Sequence, residues 1–175
     1  AARNLGIAEA AGEVVAFIDD DAVPEPLWLR HLLEPAQRPG VAAMTGFVRG
    51  RNGISFQYRA RQLNALGEPE NLDVDPETPS ILHPPPGGAI KTEGTNMAFR
   101  RDVLVEVGGF DPAFHYYLDE TDLNMRLARA GHATAIVPLA EVHHGFAANA
   151  MRSANRVPRD LFDIGASWAV FHRKH

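Results

Sequence analysis

The stretch Val14-Val15-Ala16-Phe17-Ile18-Asp19-Asp20-Asp21 decides the fold. Five apolar residues, β-branched and aromatic among them, run without a polar break and stop at three carboxylates. A run of that kind predicts a strand covered on both faces, the signature of a parallel sheet in an α/β fold. Alternation along an extended chain sends Asp19 and Asp21 the same way. They leave the C-terminal end of the strand, where open α/β sheets bind their ligands. Two carboxylates converging on one point repel each other unless a hard cation lies between them, so the triplet reads as a metal site. A solvated turn is the simpler reading of a lone pair of acids, but three directly after a buried strand favour the metal.

Downstream, Pro24-Glu25-Pro26 precedes Leu27-Trp28-Leu29 and Leu32-Leu33 at helical spacing. Proline in a first turn loses no hydrogen bond, and the acid suits the positive end of a helix, so strand, loop and helix follow in order. Residues 41–48 predict a second strand, and residues 56–66 a helix surrounded by Arg49, Arg51, Arg59 and Arg61. Residues 67–92 hold six of the thirteen prolines and Gly87-Gly88, which predicts a long loop, functional or mobile. A strand is expected over residues 95–99, then a helix over 102–107 closed by Gly108-Gly109. Leu123, Leu127 and Ala130 share one face of a further helix over 119–130, stopped by Gly131. Residues 133–137 predict another buried strand, leading into Val142-His143-His144-Gly145. In the tail, Leu161, Ile164, Trp168 and Phe171 predict an amphipathic helix that packs on the domain, with an interfacial membrane role as the other use of such a face.

The whole chain has 175 residues, 45% of them hydrophobic, with 17 Lys+Arg against 22 Asp+Glu. That composition excludes a disordered chain and allows one compact domain. Apolar runs fall short of the ~20 residues that cross a bilayer, and the opening AARNLGIAEAAGE has neither the basic nor the apolar segment of a secretory signal. There is no cysteine, hence no disulfide or thiolate metal site, which suits a reducing, cytoplasmic setting. Any metal must be held by Asp, Glu, His or carbonyl oxygen. The formal charge of −5 excludes nucleic acid as the main partner.

Asp119-Glu120-Thr121-Asp122 is a second acidic cluster. Asp119 suits a helix N-cap, and Asp122 with Arg126 an ordinary surface pair. Glu120, desolvated near other acids, suits a general base. One of His143 and His144 can add an imidazole to the cation held by the Asp triplet, and imidazole beside carboxylates suits manganese better than calcium. Gly94-Thr95-Asn96 puts small and amide-bearing residues where a ligand approaches the backbone. Arg152, Arg156 and Arg159 are candidates to close over a phosphate, or form a solvated basic helix end. His31, His83, His115, His132, His172 and His175 are read as structural.

Taken in order, AxNxGxxxAxGE (residues 2–13), FIDDDAVPEPLWL (17–29), GTNMAFRRDVLVEVGGFDPAF (94–114), DETDLNMRLARAGH (119–132) and VHHG make the chain resemble family 2 of the glycosyltransferases, along nearly its whole length. The resemblance implies a GT-A fold, an α/β mixed sheet flanked by helices. It further implies transfer of a sugar from a nucleotide-diphosphate donor to an acceptor hydroxyl with inversion. Asp19 and Asp21 match the family's DxD element, which holds Mn2+ or Mg2+ against the diphosphate, with Asp21 the expected direct ligand and Asp19 nearer the ribose or sugar. His143 matches the family's metal-side histidine, with His144 as its competitor. Glu120 stands at the family's catalytic base, and because the usual order there is Glu-Asp, Asp119 is the alternative. Asp19, Asp20, Gly94, Thr95, Asn96 and Arg152 are the expected donor-binding residues.

The implied division is one domain: residues 1–66 with the metal-binding strand, 67–92 the proline-rich loop, 93–145 the acceptor and catalytic half, and 146–175 a basic segment. Family members open with a strand-helix-strand unit that grips the nucleotide, and this sequence begins after the point where it would stand. The expectation is a partial domain with an exposed sheet edge open to pairing with another chain, and weak donor binding by residues 1–175 alone. A glycan or lipid-linked acceptor is implied, the latter at the inner membrane face. Two rival readings remain: a metal-dependent nucleotidyl or phosphoryl transferase, weakened by the lack of a Gly-rich lysine loop, and a non-catalytic carbohydrate-binding or scaffold module.

Overall fold

The computed structural model describes residues 2–145, 153 and 157–175. Ten strands and five helices follow one another as α1 (Ala2–Glu9), β1 (Val14–Ile18), β2 (Ala22–Pro24), α2 (Trp28–Leu33), β3 (Val41–Arg49), β4 (Phe56–Tyr58), β5 (Arg61–Leu63), β6 (Pro69–Asn71), β7 (Ser80–Leu82), β8 (Ala89–Lys91), β9 (Asn96–Arg100), α3 (Arg101–Glu106), α4 (Asp119–Arg129), β10 (Ala133–His144) and α5 (Phe162–Lys174). The main sheet runs β1-β9-β3-β10-β2, with β4 added to β3 and β7 to β10. A second sheet runs β6-β5-β8.

The strand over residues 14–18 is present, but its partner is not parallel. β1 pairs antiparallel with β9, from Val14 opposite Arg100 to Ile18 opposite Asn96. The parallel pair is β3 with β10, so the sheet is mixed. Cover on two faces does hold. Val15 and Phe17 join the cluster built by Ile7, Val103, Leu104, Leu123 and Leu127, from α1, α3 and α4. Val14 and Ala16 join the cluster around Leu32 and Trp28 of α2. β9 alternates likewise, Met97 and Phe99 to the first cluster and Ala98 to the second, as period-two geometry requires. A continuous apolar run reports two covered faces, and the direction of its neighbour is not encoded in it.

Two expectations are corrected. Residues 56–66 form strands β4 and β5, where a helix was predicted, and residues 67–92 carry β6, β7 and β8, where one long loop was predicted. Each of these strands has three residues: β4 returns on β3 and β6 on β5 as short hairpins, while β8 pairs with β5 and β7 with the more distant β10. Strands of three residues are too short to show a periodicity. Pro69 is accommodated because β6 is an edge strand. At Gly67 the chain turns with φ +77°, and a Cβ there would lie 2.6 Å from the Phe171 ring, so glycine is needed for the turn and for α5 to dock.

Candidate active site

β1 delivers its three acids into a turn closed by the Ala22 amide donating to the Asp19 carbonyl. β2 then returns antiparallel to the end of β10, with Ala22 opposite His144. The Gly145 amide donates to the Asp21 carbonyl at 2.8 Å, fixing the register. It sets His144 Nε2 3.1 Å from Asp21 Oδ1 and 4.0 Å from Asp19 Oδ2. Asp19, Asp21 and His144 each offer one ligand atom, all within 4.8 Å of one another. Thr95 Oγ1 donates to Asp19 Oδ2 at 2.8 Å and holds that carboxylate in place.

The donor set fits a divalent cation on its own chemistry. Gln57 Oε1 lies 3.0 Å from His144 Nδ1. An amide oxygen only accepts, so Nδ1 carries a hydrogen and Nε2 is the ring atom turned toward the carboxylates. An imidazole lone pair and two carboxylates facing one another need a proton or a metal ion between them.

His143, expected as the ligand, does not belong to this group. Successive side chains of β10 point to opposite faces, and His143 Nε2 lies 2.7 Å from Glu25 Oε1 instead. The imidazole beside Asp19 and Asp21 is that of His144, the competing candidate.

Across a cavity of about 720 Å³ stand the second acids. Asp19, Asp20, Asp21 and His144 line it together with Gly94, Thr95, Asp119 and Glu120, and Arg3, Arg61 and Lys91 add positive charge. Asp21 and Glu120, a hundred positions apart in sequence, thus share one pocket. Two consecutive non-glycine residues with positive φ, Tyr117 at 77° and Leu118 at 67°, turn the chain into α4 immediately before Asp119. Such backbone costs of order 1–3 kcal/mol per residue and persists where packing enforces it. Here α5 does so: Ser167 Oγ donates to the Tyr116 carbonyl at 2.8 Å, and the Trp168 and Tyr117 rings lie 6.3 Å apart.

Asp119 and Glu120 are electrostatically split. Burial, and next the Glu120 charge, push the Asp119 carboxyl up to about 6, against the Arg3 guanidinium that pairs with it. Burial also works to raise Glu120, but the Lys91 ammonium 3.5 Å away, a hydrogen bond with Asp119 and the Arg3 charge outweigh it and hold Glu120 below the ordinary glutamate range. Glu120 is therefore the member that stays ionised on mild acidification.

Asn96 does not reach the cavity. Its amide nitrogen donates to the carbonyls of Phe47 and Ala140, its oxygen accepts from Trp28 Nε1, and the side chain is fully buried. Asp122, expected in a surface pair with Arg126, does bond Arg126 at 2.7 Å but is itself fully buried. Arg152 and Arg156 lie outside the described residues, and Arg159 is exposed. Sequence reasoning missed Arg3, Gln57 and Lys91. For Lys91 a signal existed: the chain has two lysines against fifteen arginines, and this one ends the apolar run Ala89-Ile90.

The family described as "Glycosyltransferase like family 2" matches residues 2–162. Pre-mycofactocin glycosyltransferase of Mycobacterium tuberculosis is 32% identical over 148 residues, which cover 82% of this chain and 29% of that protein. N-acetylglucosaminyl-diphospho-decaprenol L-rhamnosyltransferase of the same species is 28% identical over 144 residues, 82% of this chain and 39% of that protein. Among solved structures, GalNAc-T7 with UDP, GalNAc and Mn2+ superposes with a TM-score of 0.62 at 18% identity, over 82% of this chain and 29% of that one. The chain spans about a third of the length of the curated relatives it matches. Sheet, cavity and sequence together make this chain a member of glycosyltransferase family 2 with the GT-A fold.

Proposed function

We propose that the cavity transfers a sugar, with inversion, from a nucleotide-diphosphate donor to an acceptor hydroxyl. The observation that carries this reading is the pairing, in one cavity, of the Asp19, Asp21 and His144 donor set with the Glu120 carboxylate. The relatives' names support it, as does the UDP and Mn2+ bound to the similar structure. Asp19, Asp21 and His144 would hold Mn2+ or Mg2+; the imidazole ligand favours Mn2+. When bound, such an ion neutralises charge growing on the leaving diphosphate. Thr95 and Gln57 orient the ligands, and Asp20 and Gly94 line the donor side. Glu120 accepts the proton of the attacking hydroxyl. The acceptor oxygen bonds the anomeric carbon, the bond to the diphosphate breaks on the opposite face, and the leaving group keeps the electron pair. The acceptor is a glycan or a lipid-linked saccharide; the rhamnosyltransferase relative's name supports the latter. Among the described residues no helix is long and apolar enough to cross a membrane, so a lipid-linked acceptor would be met at the membrane surface.

The test is Glu120→Gln in the full-length protein, screened with Mn2+ against UDP-, GDP- and TDP-sugars by released nucleoside diphosphate. Loss of a general base lowers turnover by about 10²–10⁴-fold. Unchanged turnover removes Glu120 as the base, and release of pyrophosphate or monophosphate in place of nucleoside diphosphate replaces the whole reading with nucleotidyl or phosphoryl transfer.

A further inference from the structure

Lys91 ends β8 with all but a tenth of its side chain buried. Its ammonium donates to Glu93 Oε2 at 3.2 Å and to the Thr92 carbonyl at 3.1 Å, and lies 3.5 Å from Glu120 Oε1. The Tyr58 ring sits beneath it at 5.8 Å, and the Tyr58 hydroxyl bonds the Lys91 carbonyl. Burying an ammonium without a partner is costly, and two carboxylates meet that cost here. β4, β8 and the connection that follows β8 thus converge to hold one cation against the acid at the start of α4. We infer that Lys91 is a positioning residue that fixes Glu120 as an ionised carboxylate facing the cavity and so makes Glu120, not Asp119, the proton acceptor.

The inference rests on the reading of Glu120 as base. Besides Lys91, the charged groups around Glu120 are Asp119 on its own helix, Arg3 from α1 and Glu93 from the β8–β9 connection. Arg3 is engaged by Asp119, which among the described residues leaves Lys91 as the cation paired with Glu120. Burial alone would lower Lys91, but the charges of Glu93 and Glu120 outweigh it and keep the ammonium protonated.

The test is a carboxyl-carbon NMR titration of the full-length protein labelled with [5-13C]glutamate, the Glu120 signal being the one lost in Glu120→Gln. Lys91→Met should move the Glu120 titration midpoint up by about one pH unit or more, the effect of an opposite charge within 4–6 Å. Lys91→Arg should keep it near wild type. Lys91→Gln, which keeps a polar side chain without the charge, should move it up as well, and decides the matter if Lys91→Met does not fold. A Glu120 midpoint indifferent to both changes overturns the inference. In turnover, Lys91→Met should lower kcat and shift the acid limb of the pH profile upward while the donor KM holds; a pure loss of folded protein would change neither midpoint nor limb. Because the titration needs no substrate, a midpoint that moves as expected while Glu120→Gln stays active removes Glu120 as the base and leaves the charge coupling standing.

Discussion

Every polar atom of the Asn96 amide is engaged inside the sheet, joining β9 to the carbonyls of Phe47 and Ala140 and to the indole of Trp28. Asn96→Ala would leave those carbonyls and the indole N–H without a partner in the core. At about 1 kcal/mol for each of three lost bonds, the variant should be roughly 3 kcal/mol less stable, read as a lower urea midpoint at unchanged slope. Asn96→Asp should cost more, since it sets a carboxylate against two carbonyl oxygens. A change within about 0.5 kcal/mol would show that the amide is not structural. The residue sits inside the motif Gly94-Thr95-Asn96, so sequence alone gives it a ligand role, while burial gives it a scaffolding one. The same limit applies to His143 and His144. A histidine near the end of a strand is legible in sequence; which of two adjacent ones turns toward Asp21 depends on the β2–β10 register, set by the Gly145 to Asp21 bond. By contrast the placement of Asp19, Asp21 and Glu120 at one cavity was legible, because each follows or opens an element whose pattern is local.

At the scale of elements, α4 carries the catalytic candidates and α5 holds it in place. Asp122, one turn after Asp119, is fully buried and accepts from Arg126, Lys174 and His175. Two of those donors lie at the end of α5, where Phe171 and Ser167 are buried and Lys174 also reaches Asp111. Burial works to raise the Asp122 carboxyl, but hydrogen bonds from Lys174, Arg126 and His175 outweigh it and hold it below the ordinary 3.8. A carboxyl whose folded pKa is depressed binds fewer protons in the native state, so its contribution is fully present above the unfolded value and disappears as pH falls through the folded one. Asp122→Asn should therefore destabilise by about 3 kcal/mol or more at pH 7, the scale for breaking a buried ion pair. The gap to wild type should be constant from pH 7 down to about 4 and close below it. Urea midpoints over pH 7 to 3 measure this, and a gap that narrows above pH 5 would assign the effect to another group. Helical spacing made α4 and the packing face of α5 legible, since both repeat within one turn. The short strands β4 to β8 were not, because three residues hold too little alternation to read and β7 and β8 take their places from partners outside their own neighbourhood.

For the molecule as a whole, the cavity is built from ends: the end of β1, the end of β10 and the start of α4 meet only when the mixed sheet is complete. Asp19 and His144 are 125 positions apart, so no local piece of the unfolded chain can present the Asp19, Asp21 and His144 donor set. A divalent ion that binds these three residues must then bind the native state and stabilise it by RT ln(1 + [M]/Kd), about 2.7 kcal/mol at a hundred times Kd. For a chain of this size that raises the thermal midpoint by roughly 5–10 °C. Mn2+ titrated into this protein without nucleotide should show that rise, and Mg2+ a smaller one, because magnesium ligates imidazole poorly. His144→Ala and Asp21→Asn should each abolish most of the rise, while His143→Ala, which breaks the contact to Glu25, should retain it. Retention of the full effect in His144→Ala together with its loss in His143→Ala would return the ligand to the neighbouring position and require a different register between β2 and β10. An equal rise in all four proteins would place the ion elsewhere on an acidic surface.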